Sequence, residues 1–143
     1  MKRFFAMLFV IAFILTGCSS GSSQEPQKEA TKKLPAPMAE IMDTVDDSTN
    51  SATIKFTNGW KFGNADEDRV IYVEVGSLTA DPKQGVALII RKKKDGKFMS
   101  QTQHLTPGKH GAVTIIKFNG TNLDLKAEDG TTFAFNAFDG FRE

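Results

Sequence analysis

Residues 85–105 read GVALIIRKKKDGKFMSQTQHL, two extended runs on either side of an Asp-Gly pair. In the first, Val86 to Ile90 is apolar at every position, the pattern of a strand buried on both faces. The second, beginning at Lys97, mixes apolar and polar residues without a helical period. Asp95-Gly96 readily takes the positive φ angles of a tight hairpin turn. A hairpin therefore predicts itself here, with one central strand and one more exposed strand.

The same grammar extends in both directions. Ala52, Ile54 and Phe56 alternate with Thr53, Lys55 and Thr57, and Ile71, Val73 and Val75 alternate with Tyr72 and Glu74. AVTIIKFN, NLDLKA and TFAFNAF continue the period of two towards the C-terminus. Asn58-Gly59, Asn119-Gly120, Asp129-Gly130 and Asp139-Gly140 add four more turn pairs, and TADPKQG and TPGKHG break the longer intervals. These signals predict an all-β domain, a small antiparallel sandwich or barrel of about six to eight strands. Periodicity does not choose between the two. Ahead of the strands, Met38, Ile41, Met42 and Val45 recur at i, i+3, i+4 and i+7, which predicts a short helix docked on the domain.

Before Met38 the composition changes. Residues 19–37, SSGSSQEPQKEATKKLPAP, hold one large aliphatic side chain, Leu34. Such a stretch buries too little surface to offset its chain entropy, so a flexible stalk is expected. Upstream, Lys2 and Arg3 precede an apolar run over residues 4–15. Twelve helical residues rise about 18 Å, short of the roughly twenty residues that span a bilayer. The charged start, apolar centre and small residues describe an export signal.

Leu15-Thr16-Gly17-Cys18 resembles the lipobox of bacterial lipoproteins: an aliphatic residue, two small residues and a cysteine. The resemblance covers residues 1–18 and implies diacylglycerol on the Cys18 sulfur, cleavage just before it, and a mature chain beginning there. Two acyl chains hold a protein firmly where one holds it marginally. The implied organisation is a signal peptide over residues 1–17, a lipidated stalk over 18–37 and one domain over 38–143. The implied location is the extracytoplasmic face of the cell membrane, or the outer membrane in a Gram-negative cell, where Ser19 would direct it. VEVGSLTADPKQGVALII, residues 73–90, resembles segments of exported bacterial β-proteins and implies no activity.

Cys18 is the only cysteine, so lipidation leaves neither a thiol nor a disulfide in the domain. The formal charge is +1, and loss of Lys2 and Arg3 with the signal makes it −1. Bulk polyanion binding is not expected, and any charge argument is local.

The strongest local feature is RKKKDGK. Arg91, Lys92, Lys93, Lys94 and Lys97 surround one Asp95 at a hairpin tip and would meet an anionic surface, while tip lysines equally serve to keep a hairpin soluble. Nucleic acid is not expected, because export removes the opportunity and no aromatic residues interleave the run. Asn64, Asp66 and Asp68, beside Glu67, echo the first ligands of a calcium loop, but Arg69 and Val75 stand where glycine and glutamate belong. These residues and the DTVDDSTN turn read as solvated acidic loops, and no metal or other cofactor is expected.

His104 and His110 flank the LTPGK turn and would lie close if it closed a hairpin, two ligands where a catalytic zinc takes three; they read first as solvent-facing or hydrogen-bonded loop residues. Trp60, Phe62 and Tyr72 would make an aromatic platform if exposed. Like Phe133, Phe135, Phe138 and Phe141, they read first as core. Glu67 and Glu74 are the only carboxylate pair worth naming for acid–base work. No G-x-S-x-G, H-E-x-x-H or P-loop occurs. The sequence therefore points to a non-catalytic binding domain at the cell envelope, taking a wall polymer, peptide or protein. The alternatives are an accessory subunit of an envelope complex, or a hydrolase of unrecognised type.

Overall fold

A computed structural model describes residues 37–45 and 50–142. The expected signal peptide, lipobox and stalk lie outside the described residues, as do residues 46–49 of the second acidic turn. Among the described residues, nine strands form two antiparallel sheets. The first contains β1 (Met38–Met42), β2 (Ile54–Gly63), β3 (Val70–Leu78), β4 (Gly85–Lys92) and β5 (Phe98–Leu105), in sequence order. The second contains β6 (Val113–Asn119), β7 (Asn122–Ala127), β8 (Thr132–Asn136) and β9 (Gly140–Phe141), again in order.

The alternation read from the sequence is the reason the two sheets face one another. Trp60, Ile71, Val73, Val75, Ala87 and Ile89 project from the first sheet into one cluster with Val113, Ile115, Leu123, Leu125, Ala127, Phe135 and Ala137. Burying each larger aliphatic side chain contributes about 1.5–3 kcal/mol. β4 is apolar on both faces because it serves two clusters. Ala87 and Ile89 look into the sandwich, while Val86, Leu88 and Ile90 join Ile54 on the outer face of the first sheet. The β1–β2 connection covers part of that outer face. Val45 and Met42 lie over Gly59, and the Asn50 side-chain amide exchanges hydrogen bonds of 3.3 and 3.1 Å with Gln101 on β5.

Two expectations are corrected. Met38 to Met42 is a strand, not the start of a helix. β2 offers an open edge from Gly59 to Gly63, and β1 satisfies it along five register positions. An isolated helix of that length is marginal, so pairing wins. Ala39 and Ile41 consequently pack on the core, a period of two hidden inside the helical spacing.

Asn58-Gly59 is not a turn but the middle of β2. A bulge at Thr57 interrupts the ladder with β3, and Asn58 turns its side chain to the second sheet. Its Nδ2 donates to the Ile115 carbonyl at 2.9 Å, and the Ile115 N–H donates to its Oδ1 at 2.9 Å. Thr57 Oγ1 donates to the Val113 carbonyl next to it. Gly59 is needed for closeness: an added Cβ would lie 2.8 Å from Met42 Cε and 3.2 Å from Val45 Cγ2. The remaining turn pairs close hairpins as expected, with Gly96, Gly120, Gly130 and Gly140 at positive φ. β2 and β6 are thus joined through side chains and not by a backbone ladder, which makes the domain a sandwich rather than a barrel.

Candidate functional site

One end of the five-stranded sheet gathers most of the polar chemistry read from the sequence. The β4–β5 turn is tight: the Lys93 N–H donates to the Lys97 carbonyl at 2.8 Å, and the Lys97 N–H donates to Asp95 Oδ1 at 2.9 Å. It presents Lys93, Lys94 and Lys97 to solvent, with Arg91 and Lys92 half-buried at the end of β4. Lys92 Nζ sits 5.4 Å above the centre of the Tyr72 ring, a cation–π contact.

The β2–β3 loop lies beside this turn, so the acidic and basic motifs meet. Lys93 Nζ is 3.8 Å from Asp68 Oδ2, and Lys94 Nζ donates to the Ala65 carbonyl. Glu67 pairs with Arg69 within the loop, and Asn64 Oδ1 accepts from the Asp66 N–H at 3.3 Å. Asp68 and Glu67 are therefore partnered by cations. Among the described residues, no three His, Cys, Asp or Glu side chains are grouped to hold a metal ion.

Next to these loops is a cleft of about 660 Å³. Met38, Ala39 and Val70 give it apolar walls, and Glu40, Lys61, Asn64 and Lys94 bring polar groups to its border. Lys61 and Glu40 face each other at 3.8 Å across the β1–β2 pair. Beyond the turn, Phe98 is 58% exposed and Met99 49%. The sequence reading missed the cleft and these two side chains. β5 carries polar residues on both of its faces, so no alternation marks which way Phe98 points. Glu40 joins Lys61 and Val70 only because Met38–Met42 pairs as a strand on β2.

The two histidines are not brought together. β5 and β6 belong to different sheets, so the LTPGK segment is a crossover and not a hairpin. His104 stays on β5, its ring edge-on to Phe135 at 5.7 Å. His110 leaves the crossover towards the β7–β8 turn, where its Nδ1 lies 2.7 Å from Asp129 Oδ2 and 3.2 Å from Thr131 Oγ1. Both partners address the same ring nitrogen. An acyl-transfer relay needs the acid on one nitrogen and the nucleophile on the other, so this trio fastens the crossover. The Thr131 backbone N–H, then the His110 ring, pull the Asp129 carboxyl down to about 2. At the other side of the crossover Lys109 Nζ bonds Asp81 at 2.6 Å and holds that carboxyl below its usual range.

The aromatic residues are mostly core, as read first, and Phe138 is the exception. Trp60 and Phe62 stack at 5.5 Å in the interior, while Tyr72 belongs to the opposite face of the sheet. Phe133, Phe135 and Phe141 pack edge to face in the core, and Phe138 is exposed in the β8–β9 turn. Glu74 is buried in mid-β3 opposite Gly59 and Leu88, whereas Glu67 stands in the β2–β3 loop. The two carboxylates lie on different elements.

Comparison with known protein families, with curated proteins and with solved structures returns no match for this chain.

Proposed function

We propose that this chain is a lipid-anchored envelope protein whose β-sandwich is a non-catalytic binding domain on the extracytoplasmic side. The anchor rests on Cys18 within its lipobox. The binding role rests on one observation: a cleft of about 660 Å³ with apolar walls and a border of Glu40, Lys61, Asn64 and Lys94. Concave apolar sites with a few convergent polar groups are the usual form of ligand pockets. Met38 and Val70 would take the apolar part of a ligand, and the Lys61 and Lys94 ammonium groups would orient an anionic group on it. An anionic wall-polymer unit or the carboxylate end of a peptide has that chemistry.

The test is photocrosslinking in intact cells. A photoreactive side chain replacing Met38, which is 78% exposed, should capture an envelope component. The same group at Phe138 should not. Lys61→Ala with Lys94→Ala should abolish the adduct at position 38. Equal labelling from both positions, or labelling that survives the double substitution, refutes the cleft as the binding site.

A further inference from the structure

The chain enters the described fold at the end of the sheet that carries the basic turn. Met38, Gly63, Val70, Lys92 and Phe98 are successive register partners across all five strands and form one transverse row. At about 4.8 Å per strand the row spans roughly 19 Å. Pro37 precedes it at one border, and the exposed Phe98 and Met99 close it at the other. Cys18 stands nineteen residues before Pro37.

We propose that this rim docks on the anionic lipid leaflet that holds the anchor, setting the first sheet upright on the membrane. The proposal rests on the lipid-anchor reading above. Outside the cleft, Phe98 and Met99 supply apolar side chains to the headgroup layer, and Arg91, Lys92 and Lys97 supply charge. Opposing charge exists at the same end and limits the contact. Asp68 neutralises Lys93, Glu67 neutralises Arg69, and Asp66 and Asp95 face the same surface. The contact is therefore weak by itself. It becomes populated because the expected tether, with a reach of about 20–25 Å, confines the rim near the leaflet at high effective concentration. The opposite end of β5, Leu105, lies seven residues further along, about 23 Å away.

Cys18, as the sole cysteine, makes a test that does not depend on native lipidation. The mature chain is coupled through Cys18 to a maleimide lipid in vesicles containing phosphatidylglycerol and brominated lipids. Tryptophan reporters are placed at Phe98 or at Leu105, which is 48% exposed, and Met99→Trp gives a second reporter at the rim. Buried Trp60 is a common background. Fluorescence at positions 98 and 99 should be quenched at least threefold more than at 105. The difference should vanish in neutral vesicles and in 1 M salt, where the Debye length falls to about 3 Å. Lys92→Gln with Lys97→Gln should lower the docked-to-undocked ratio about 30-fold, each charge beside an anionic leaflet being worth about 1 kcal/mol. Equal quenching at both ends, or stronger quenching at 105, overturns the proposal. Equal quenching combined with retention of the chain on a soluble polyanion would assign the turn to a polymer instead. Whether the cell lipidates Cys18 is read separately from the mass of the mature N-terminus, so failure of docking and failure of the anchor are distinct results.

Discussion

Replacing Asn58 with alanine tests the seam between the sheets. The Asn58 amide makes two 2.9 Å hydrogen bonds, one to the Ile115 N–H and one to the Ile115 carbonyl, in a buried setting. β6 borders its sheet, and these two backbone groups point away from β7. Alanine removes both bonds and leaves a donor and an acceptor without partners. Each such loss costs about 1–3 kcal/mol, so about 2–6 kcal/mol is expected, against a total of about 5–15 kcal/mol for a domain. At about 4–8 °C per kcal/mol for a domain of this size, thermal unfolding by circular dichroism should shift down by at least about 8 °C. Asn58→Asp sharpens the test. The carboxylate still accepts from the Ile115 N–H but turns an acceptor towards the Ile115 carbonyl. That variant should be strongly destabilised at neutral pH and should regain stability on acidification, when a carboxylic acid O–H replaces the lost donor. A shift under 3 °C for Asn58→Ala, or an Asn58→Asp variant with the pH profile of the parent, would refute the reasoning.

Three further outcomes are expected. The Asp129 carboxyl is depressed from 3.8 to about 2, so its contribution to stability is complete above its unfolded value and is lost as pH falls from about 4 towards 2; Asp129→Asn should flatten acid unfolding in that window, and an unchanged profile would remove the crossover lock. Gly76→Ala should prevent proper pairing of β2 with β3, because an added Cβ would sit 2.1 Å from the Lys55 carbonyl oxygen and 2.9 Å from Phe56 Cα; overpacking of this kind costs about 1–3 kcal/mol or more, readable in urea unfolding, and a neutral variant would contradict the close approach. Cys18→Ser should release the protein from the membrane fraction or leave it unprocessed, and a variant still matured and membrane-bound would end the lipid-anchor proposal.

Strands with a buried face were legible because burial imposes a period of two on the residues. β3, β6, β7 and β8 carry that mark, β4 was legible instead as an unbroken apolar run between turn signals, and the Gly pairs between strands marked true hairpins. The failures have a shared physical origin: short signals that serve two geometries. Met38, Ile41 and Met42 fit a helical face, and Ala39 with Ile41 fits a strand face equally well; the open edge of β2, a tertiary fact, decides between them. Asn-Gly commonly turns a chain, but here the Asn amide was needed across the sandwich and the glycine was needed to admit Met42 and Val45. The possible closeness of the two histidines was not decidable from sequence, because a crossover between sheets and a hairpin share the same Pro-Gly vocabulary. The basic turn was legible as a cluster. Its pairing with the β2–β3 loop was not, since Lys93 and Asp68 meet only once β3 and β4 are in register.

The side chain of Asn58 carries the same chemical group as a peptide unit, and β6 meets it as it would meet one rung of another strand. That border is thereby occupied, and a neighbouring molecule cannot extend the second sheet there without first displacing an internal partner. Among the described residues β5, eight residues long, pairs along its backbone with β4 alone, and it contains neither lysine nor proline. Of the two borders, β5 is therefore the one that a neighbouring strand could extend without displacing the Asn58 amide.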